Sequence, residues 1–253
     1  MPSRTSLYAL GVLFAATGMA FGAGLQRSGG TGGAGVSQPW GGAQDAVNYK
    51  LPNEDGTAED SIGLGGTGTH DLIWLNRFTV AAGGEVITSV QAAFGTPAFP
   101  APQYVGRPLT VALYEDADGG STLNAVLKTT LNTTIPGQGD NVLYNFDIAD
   151  TAVTGTFLVA MITKNAPNND AYHAAWDNTA PHDANSSFIG FTAPGNTLNQ
   201  ANLGSIPAGQ YGTIEGFGLP GNWLIRAIGE PIPEPASLSL LALGAAALLR
   251  RRA

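Results

Sequence analysis

Cysteine is absent from all 253 residues. That excludes a disulfide framework, thiolate metal sites and a cysteine nucleophile, so the folded part must be held by burial alone. Charge is scarce at 12% of residues, and basic charge is scarcer still, with eleven Lys and Arg against nineteen Asp and Glu. Four of the eleven are Arg4, Arg250, Arg251 and Arg252, close to the two termini. Between Gly24 and Pro235, seven basic residues stand against all nineteen acidic ones, a net charge of −12. A surface this acidic repels phosphate backbones and excludes nucleic acid as a partner. There are only three histidines: His70, His173 and His182. No Gly-x-Ser-x-Gly elbow and no His-Glu-x-x-His pair occurs, so two familiar hydrolase arrangements are missing. His70-Asp71 and His182-Asp183 place a base beside a carboxylate, but neighbours along a strand point to opposite faces. Both pairs therefore read as surface-loop residues and the chain as a non-enzyme. Helical periodicity is also lacking. The best window, Thr197 to Leu203, allows at most two turns.

What the sequence does have is strand pattern. Leu72–Val80, Val86–Phe94, Leu109–Tyr114, Val126–Leu131, Val142–Ile148, Thr156–Ile162, Tyr172–Trp176, Ser187–Thr192 and Trp223–Ile228 are short β-branched and aromatic runs. Gly, Pro and Asn lie between them. The expectation is an all-β fold, an antiparallel β-sandwich of jelly-roll type over residues 45–229. Trp74 and Trp223 sit among aliphatics and should be core residues. Residues 24–44 are Gly-rich and read as a flexible leader. With no strand before it and no Gly-Lys-Ser/Thr after it, this leader is not a phosphate loop.

The termini carry export signals. Arg4 gives a positive start, Leu7–Met19 an apolar segment, and Ala20, Gly22 and Ala23 small residues for cleavage. Residues 1–23 therefore read as a secretory signal peptide. At the other end, residues 230–253 combine three parts. Pro233-Glu234-Pro235 lacks two backbone N–H groups and stays extended. Ala236–Leu249 follows, rich in Leu and Ala, and reads as a short transmembrane helix. Arg250, Arg251 and Arg252 then hold the cytoplasmic side. The apolar run is 14 residues, short of the ~20 a stable span needs, which suits a temporary anchor. A plain tail anchor is the alternative.

Those three parts, in that order, resemble the PEP-CTERM sorting signal of Gram-negative surface proteins. The resemblance implies processing by an exosortase, a membrane-embedded, transpeptidase-like enzyme. It would act near Pro233-Glu234-Pro235 and pass the chain to the cell surface or a polysaccharide matrix. More faintly, Leu72–Val80, Leu109–Gly120 and Asn222–Ala227 resemble the core strand, strand-then-acidic-turn and closing strand of cleaved-adhesin-type jelly rolls.

Two acidic clusters stand out as candidate sites. Asp116 and Asp118 lie in Glu115-Asp116-Ala117-Asp118-Gly119-Gly120, and Asp-x-Asp-Gly is compatible with calcium. The full EF-hand pattern fails, because Leu127 stands twelfth from Asp116. The other reading of the segment is a solvated hairpin turn. Glu54-Asp55 and Glu59-Asp60 flank Gly56 and read more simply as surface charge. No other cofactor is expected. Asn165–Asn178 gathers amides with Tyr172, Trp176 and Asp177, a combination that can hold sugars, although Trp176 lies in an expected strand and reads more simply as core. The reading is a non-enzymatic surface or matrix protein. A carbohydrate-binding module for exopolysaccharide is the second reading, and a secreted hydrolase the third.

Overall fold

The structure, a computed structural model, describes residues 25–27, 46–65, 68–97, 104–165 and 171–232. Among these the regular structure is strands and three short 3₁₀ turns, with every strand pairing antiparallel.

The centre is a six-stranded sheet. Its strands are β4 (His70–Thr79), β6 (Pro108–Asp116), β7 (Val126–Thr134), β9 (Thr156–Asn165), β11 (Ser187–Phe191) and β12 (Tyr211–Thr213), in spatial order β12-β11-β4-β9-β6-β7. One face meets two four-stranded sheets. The first runs β1-β3-β10-β13, where β1 is Leu25–Arg27, β3 Asp60–Leu64, β10 Ala171–Asp177 and β13 Asn222–Trp223. The second runs β2-β14-β5-β8, where β2 is Val47–Tyr49, β14 Ile225–Glu230, β5 Val86–Ala92 and β8 Tyr144–Ala152.

Period-two alternation explains how the faces are used. On β4, Leu72, Trp74 and Phe78 enter the main core with Ile62, Val90, Val111, Met161 and Trp223. The alternate residues Ile73 and Leu75 enter a second core with Ala112, Tyr114, Leu158 and Phe188. The segment bearing Leu198, Leu203 and Ile206 covers that second face. Both faces of β4 are thus dry around Leu72–Leu75, which is why that stretch is an unbroken apolar run. The edge strand β7 alternates between exposed and half-buried residues.

Several expectations need correction. The closing strand Trp223–Ile228 is two strands in two different sheets. Trp223 pairs with Trp176 of β10, while Ile225–Glu230 pairs with β5. The chain steps between them at Leu224, whose N–H donates to the Ala175 carbonyl and whose carbonyl accepts from the Ala93 N–H. Buried Asn76 fixes that step by donating to the Trp223 and Ile225 carbonyls at 2.9 and 3.1 Å. The window Thr197–Leu203 holds no helix; a 3₁₀ turn, Leu203–Ser205, begins at its end. Strands β1, β2, β3 and β12 were not expected, and β1 falls within the Gly-rich leader. The two ends of the domain meet, since β2 pairs with β14. The signal-peptide residues 1–23 and the apolar run 236–249 lie outside the described residues. Among the described residues, no helix is long and apolar enough to cross a membrane.

Candidate functional site

The sorting residues Pro233, Glu234, Pro235, Arg250, Arg251 and Arg252 lie outside the described residues. The chain approaches them from the exposed end of β14. Glu230 is exposed, as is Ile232 at 60%.

The acidic turn after β6 is well defined. Asp116 is the last residue of β6 and is only 2% exposed. Its carbonyl accepts from the Gly119 N–H at 3.0 Å and from the Thr156 hydroxyl. The opposing chain comes close here. Gly155 has φ +63°, and a Cβ on it would lie 2.6 Å from the Ala117 carbonyl oxygen, so a side chain there is excluded. Asp118 is exposed; one of its oxygens accepts from the Gly120 N–H at 2.9 Å and the other from the Asn124 amide at 3.3 Å. Glu115 turns away, taking Lys128 at 3.0 Å and the Thr154 N–H at 2.7 Å. Burial raises the Asp116 carboxyl, and the facing Asp118 carboxylate raises it further.

The second acidic segment divides. Glu54, fully enclosed, forms a two-pronged ion pair with Arg226 of β14 at 2.9 and 2.6 Å and is structural. Asp55 and Glu59 instead converge with Asp177 at the end of β10, with one oxygen of each within 4.8 Å of the others. Sequence reading missed this trio because Asp177 is distant in the chain. The three carboxylates could hold a cation. Asp177, wholly buried, accepts from the Asp55 and Thr179 N–H groups at 3.0 and 2.9 Å. Burial pushes its carboxyl up to about 7, with Asp55 and Glu59 adding to the rise.

His70 departs from expectation, because it is buried in β4 rather than lying in a surface loop, while His173 is buried in β10, within the expected strand Tyr172–Trp176. His70 Nδ1 lies 2.9 Å from the Thr192 carbonyl. Its neighbour Asp71 accepts from the Leu198 N–H at 2.8 Å and pairs with Lys164. Asp183 is taken by Asn53. His173 stacks on Trp74 and meets Tyr104 edge-on. Burial holds its imidazole down at about 3, helped by Arg107.

His173 and Asp177 make opposite contributions to pH stability. With its folded value raised, Asp177 contributes stability that is fully present below about pH 4 and is lost as pH rises through 7. With its folded value depressed, His173 contributes stability present above about pH 6.5 and lost as pH falls towards 3. From about pH 4 to 6.5 the slopes oppose, each reaching at most about 1.4 kcal/mol per unit. The parent's melting temperature should therefore change little across that window. Asp177→Asn should unmask the histidine and melt progressively lower on acidification from pH 6.5 to 4.5. A variant profile parallel to the parent's would overturn this opposition.

Trp176 is core at 2% exposure, so its ring is not offered to a sugar; Tyr172 is half-buried. A different aromatic surface is present. Gly209, Tyr211, Gly212, Thr213, Gly216 and Phe217 line an open groove of about 170 Å³ beside edge strand β12. Tyr211 is braced by stacking on Phe188 and by donating to the Thr122 hydroxyl at 2.7 Å. The alternation of Gly with Tyr and Phe over 209–217 was the available sequence signal.

Comparison with known proteins agrees with the tail. Residues 231–253 match the PEP-CTERM protein-sorting motif. The chain therefore carries a signal for export, exosortase processing and sorting to the cell surface. No curated protein matches it. Among solved structures it is similar to the cysteine protease and lectin-like domains of Cwp84, a surface layer associated protein of Clostridium difficile. That likeness has a TM-score of 0.51 and 14% identity, covering 76% of this chain and 37% of that one. Less than half of that chain is spanned, and at this identity the likeness is one of fold.

Proposed function

We propose that this chain is a non-enzymatic structural or adhesive protein of an extracellular polysaccharide matrix, delivered by an exosortase. The observation that carries the reading is the sorting motif at residues 231–253. In this reading residues 1–23 direct secretion. The run 236–249 anchors the precursor briefly in the inner membrane of a Gram-negative-type cell, and cleavage near Pro233-Glu234-Pro235 releases the domain. A jelly-roll sandwich suits the role, and the six-stranded sheet packed on two four-stranded sheets across one core supports it.

The experiment is intact-mass analysis of protein taken from the cell surface. The expected product lacks Ala236–Ala253, and a Glu234→Ala chain stays in the membrane as uncleaved precursor. A surface form that retains Arg250–Arg252 would overturn exosortase processing and leave a tail anchor.

The second reading is carbohydrate binding. The groove at β12, with half-buried Tyr211 among glycines, favours it, because an aromatic face can pack on a sugar ring. The fold likeness to a protein with a lectin-like domain is in keeping. Glycan-array binding lost on Tyr211→Ala, with an unchanged melting temperature, would support this reading. Biofilm failure on deletion, with no glycan bound, would leave the structural role.

A further inference from the structure

The turn after β6 holds a buried carboxylate with no donor. Asp116 is 2% exposed, and neither of its side-chain oxygens receives a well-formed hydrogen bond; the Thr156 hydroxyl lies near the carboxylate but donates to the Asp116 backbone carbonyl. Its neighbour is another carboxylate, Asp118, and the two face each other. Arg77 lies near enough to attract Asp116, but its guanidinium donates to the Gly119, Gly120 and Asn185 carbonyls at 3.5, 3.4 and 3.2 Å. Burying an acceptor pair without a donor is costly, so such a pair is stable only with a shared proton or a bound cation.

From this geometry we infer that Asp116 and Asp118 bind a calcium ion, with Asn124 as the third side-chain ligand. Counted from Asp116, these residues stand first, third and ninth, positions that supply oxygens in loop-type calcium sites. Asn124 already reaches Asp118 through its amide at 3.3 Å, and rotating the amide turns its oxygen to the same place. The site needs little rearrangement on the Asp116 side, because Gly119 and Thr156 fix that residue's backbone. Asp118 and Asn124 are exposed, so water can fill the remaining positions. Burial with two carboxylates and one amide, on a partly open turn, corresponds to the weak class of extracellular calcium sites with Kd of about 0.1–1 mM. The carboxylate trio at Asp55, Glu59 and Asp177 has donors on both Asp177 oxygens and lacks this signature.

Thermal unfolding of the surface-purified protein, in 10 mM calcium chloride and in excess chelator, tests the assignment. Calcium should raise the melting temperature by roughly 3–6 °C. Asp118→Ala, on an exposed side chain that leaves the core intact, should abolish the rise, while Asp55→Asn should preserve it. No calcium-dependent rise in the parent overturns the site and leaves the pair bridged by a proton. A rise lost in Asp55→Asn but kept in Asp118→Ala overturns it in favour of the other cluster. Neither outcome bears on exosortase sorting, which the mass analysis tests separately.

Discussion

Trp223→Ala should lower the unfolding free energy by about 3–5 kcal/mol, the range for deleting a large buried aromatic. Trp223 has no exposed surface and lies in the main core. Its indole N–H donates to the Phe188 carbonyl at 2.8 Å, and its backbone N–H takes the Ser187 hydroxyl at 3.2 Å. The truncation opens a cavity and also leaves a buried carbonyl without its donor. With no disulfide to limit the unfolded state, a domain of ordinary stability, about 5–15 kcal/mol, would lose a large share of it. Urea denaturation of parent and variant measures the loss. An unchanged midpoint would remove Trp223 from the core and contradict the fold.

A loss of similar size, about 3–5 kcal/mol, is expected for Glu54→Ala, because it strands the Arg226 guanidinium in a largely buried position. Arg226 side-chain exposure is 11%, and both prongs of the ion pair close on the same carboxylate. The pair ties the loop before β3 to β14, 172 residues apart in sequence. Replacing both partners, as Glu54→Leu with Arg226→Met, should recover most of the stability, since no charge is then left buried without a partner. Urea midpoints of the single and double variants decide the matter. A Glu54→Ala chain as stable as the parent would show that Arg226 reaches water at little cost.

The same two residues show where sequence and structure part. Arg226 and Glu54 are each visible as charges, but nothing in the local pattern says that they meet. Asp177 likewise sits at the end of a readable strand, yet its partners Asp55 and Glu59 arrive from a loop over a hundred residues earlier.

Local chemistry was enough for much else. Alternation and turn residues are properties of neighbours in the chain, so nine strand segments, the β class and the burial of Trp74 and Trp223 were legible. The sorting motif was legible for a related reason: it is read as a linear signal, and its order of breaker, apolar run and arginines is its function. The acidic turn was legible too, because Asp116 and Asp118 lie two residues apart beside a Gly pair. Only the fold decided that Asp116 is buried while Asp118 is exposed, since its burial depends on strand packing around β6. Only the fold split the closing strand, because the amide of Asn76, from the centre of another sheet, holds the carbonyls on either side of Leu224. Hydrophobic period and turn chemistry act over a few residues and are written in the sequence. The meeting of distant charges, the burial of a histidine and the switch of a chain between sheets are set by which strands become neighbours, which the three-dimensional packing determines.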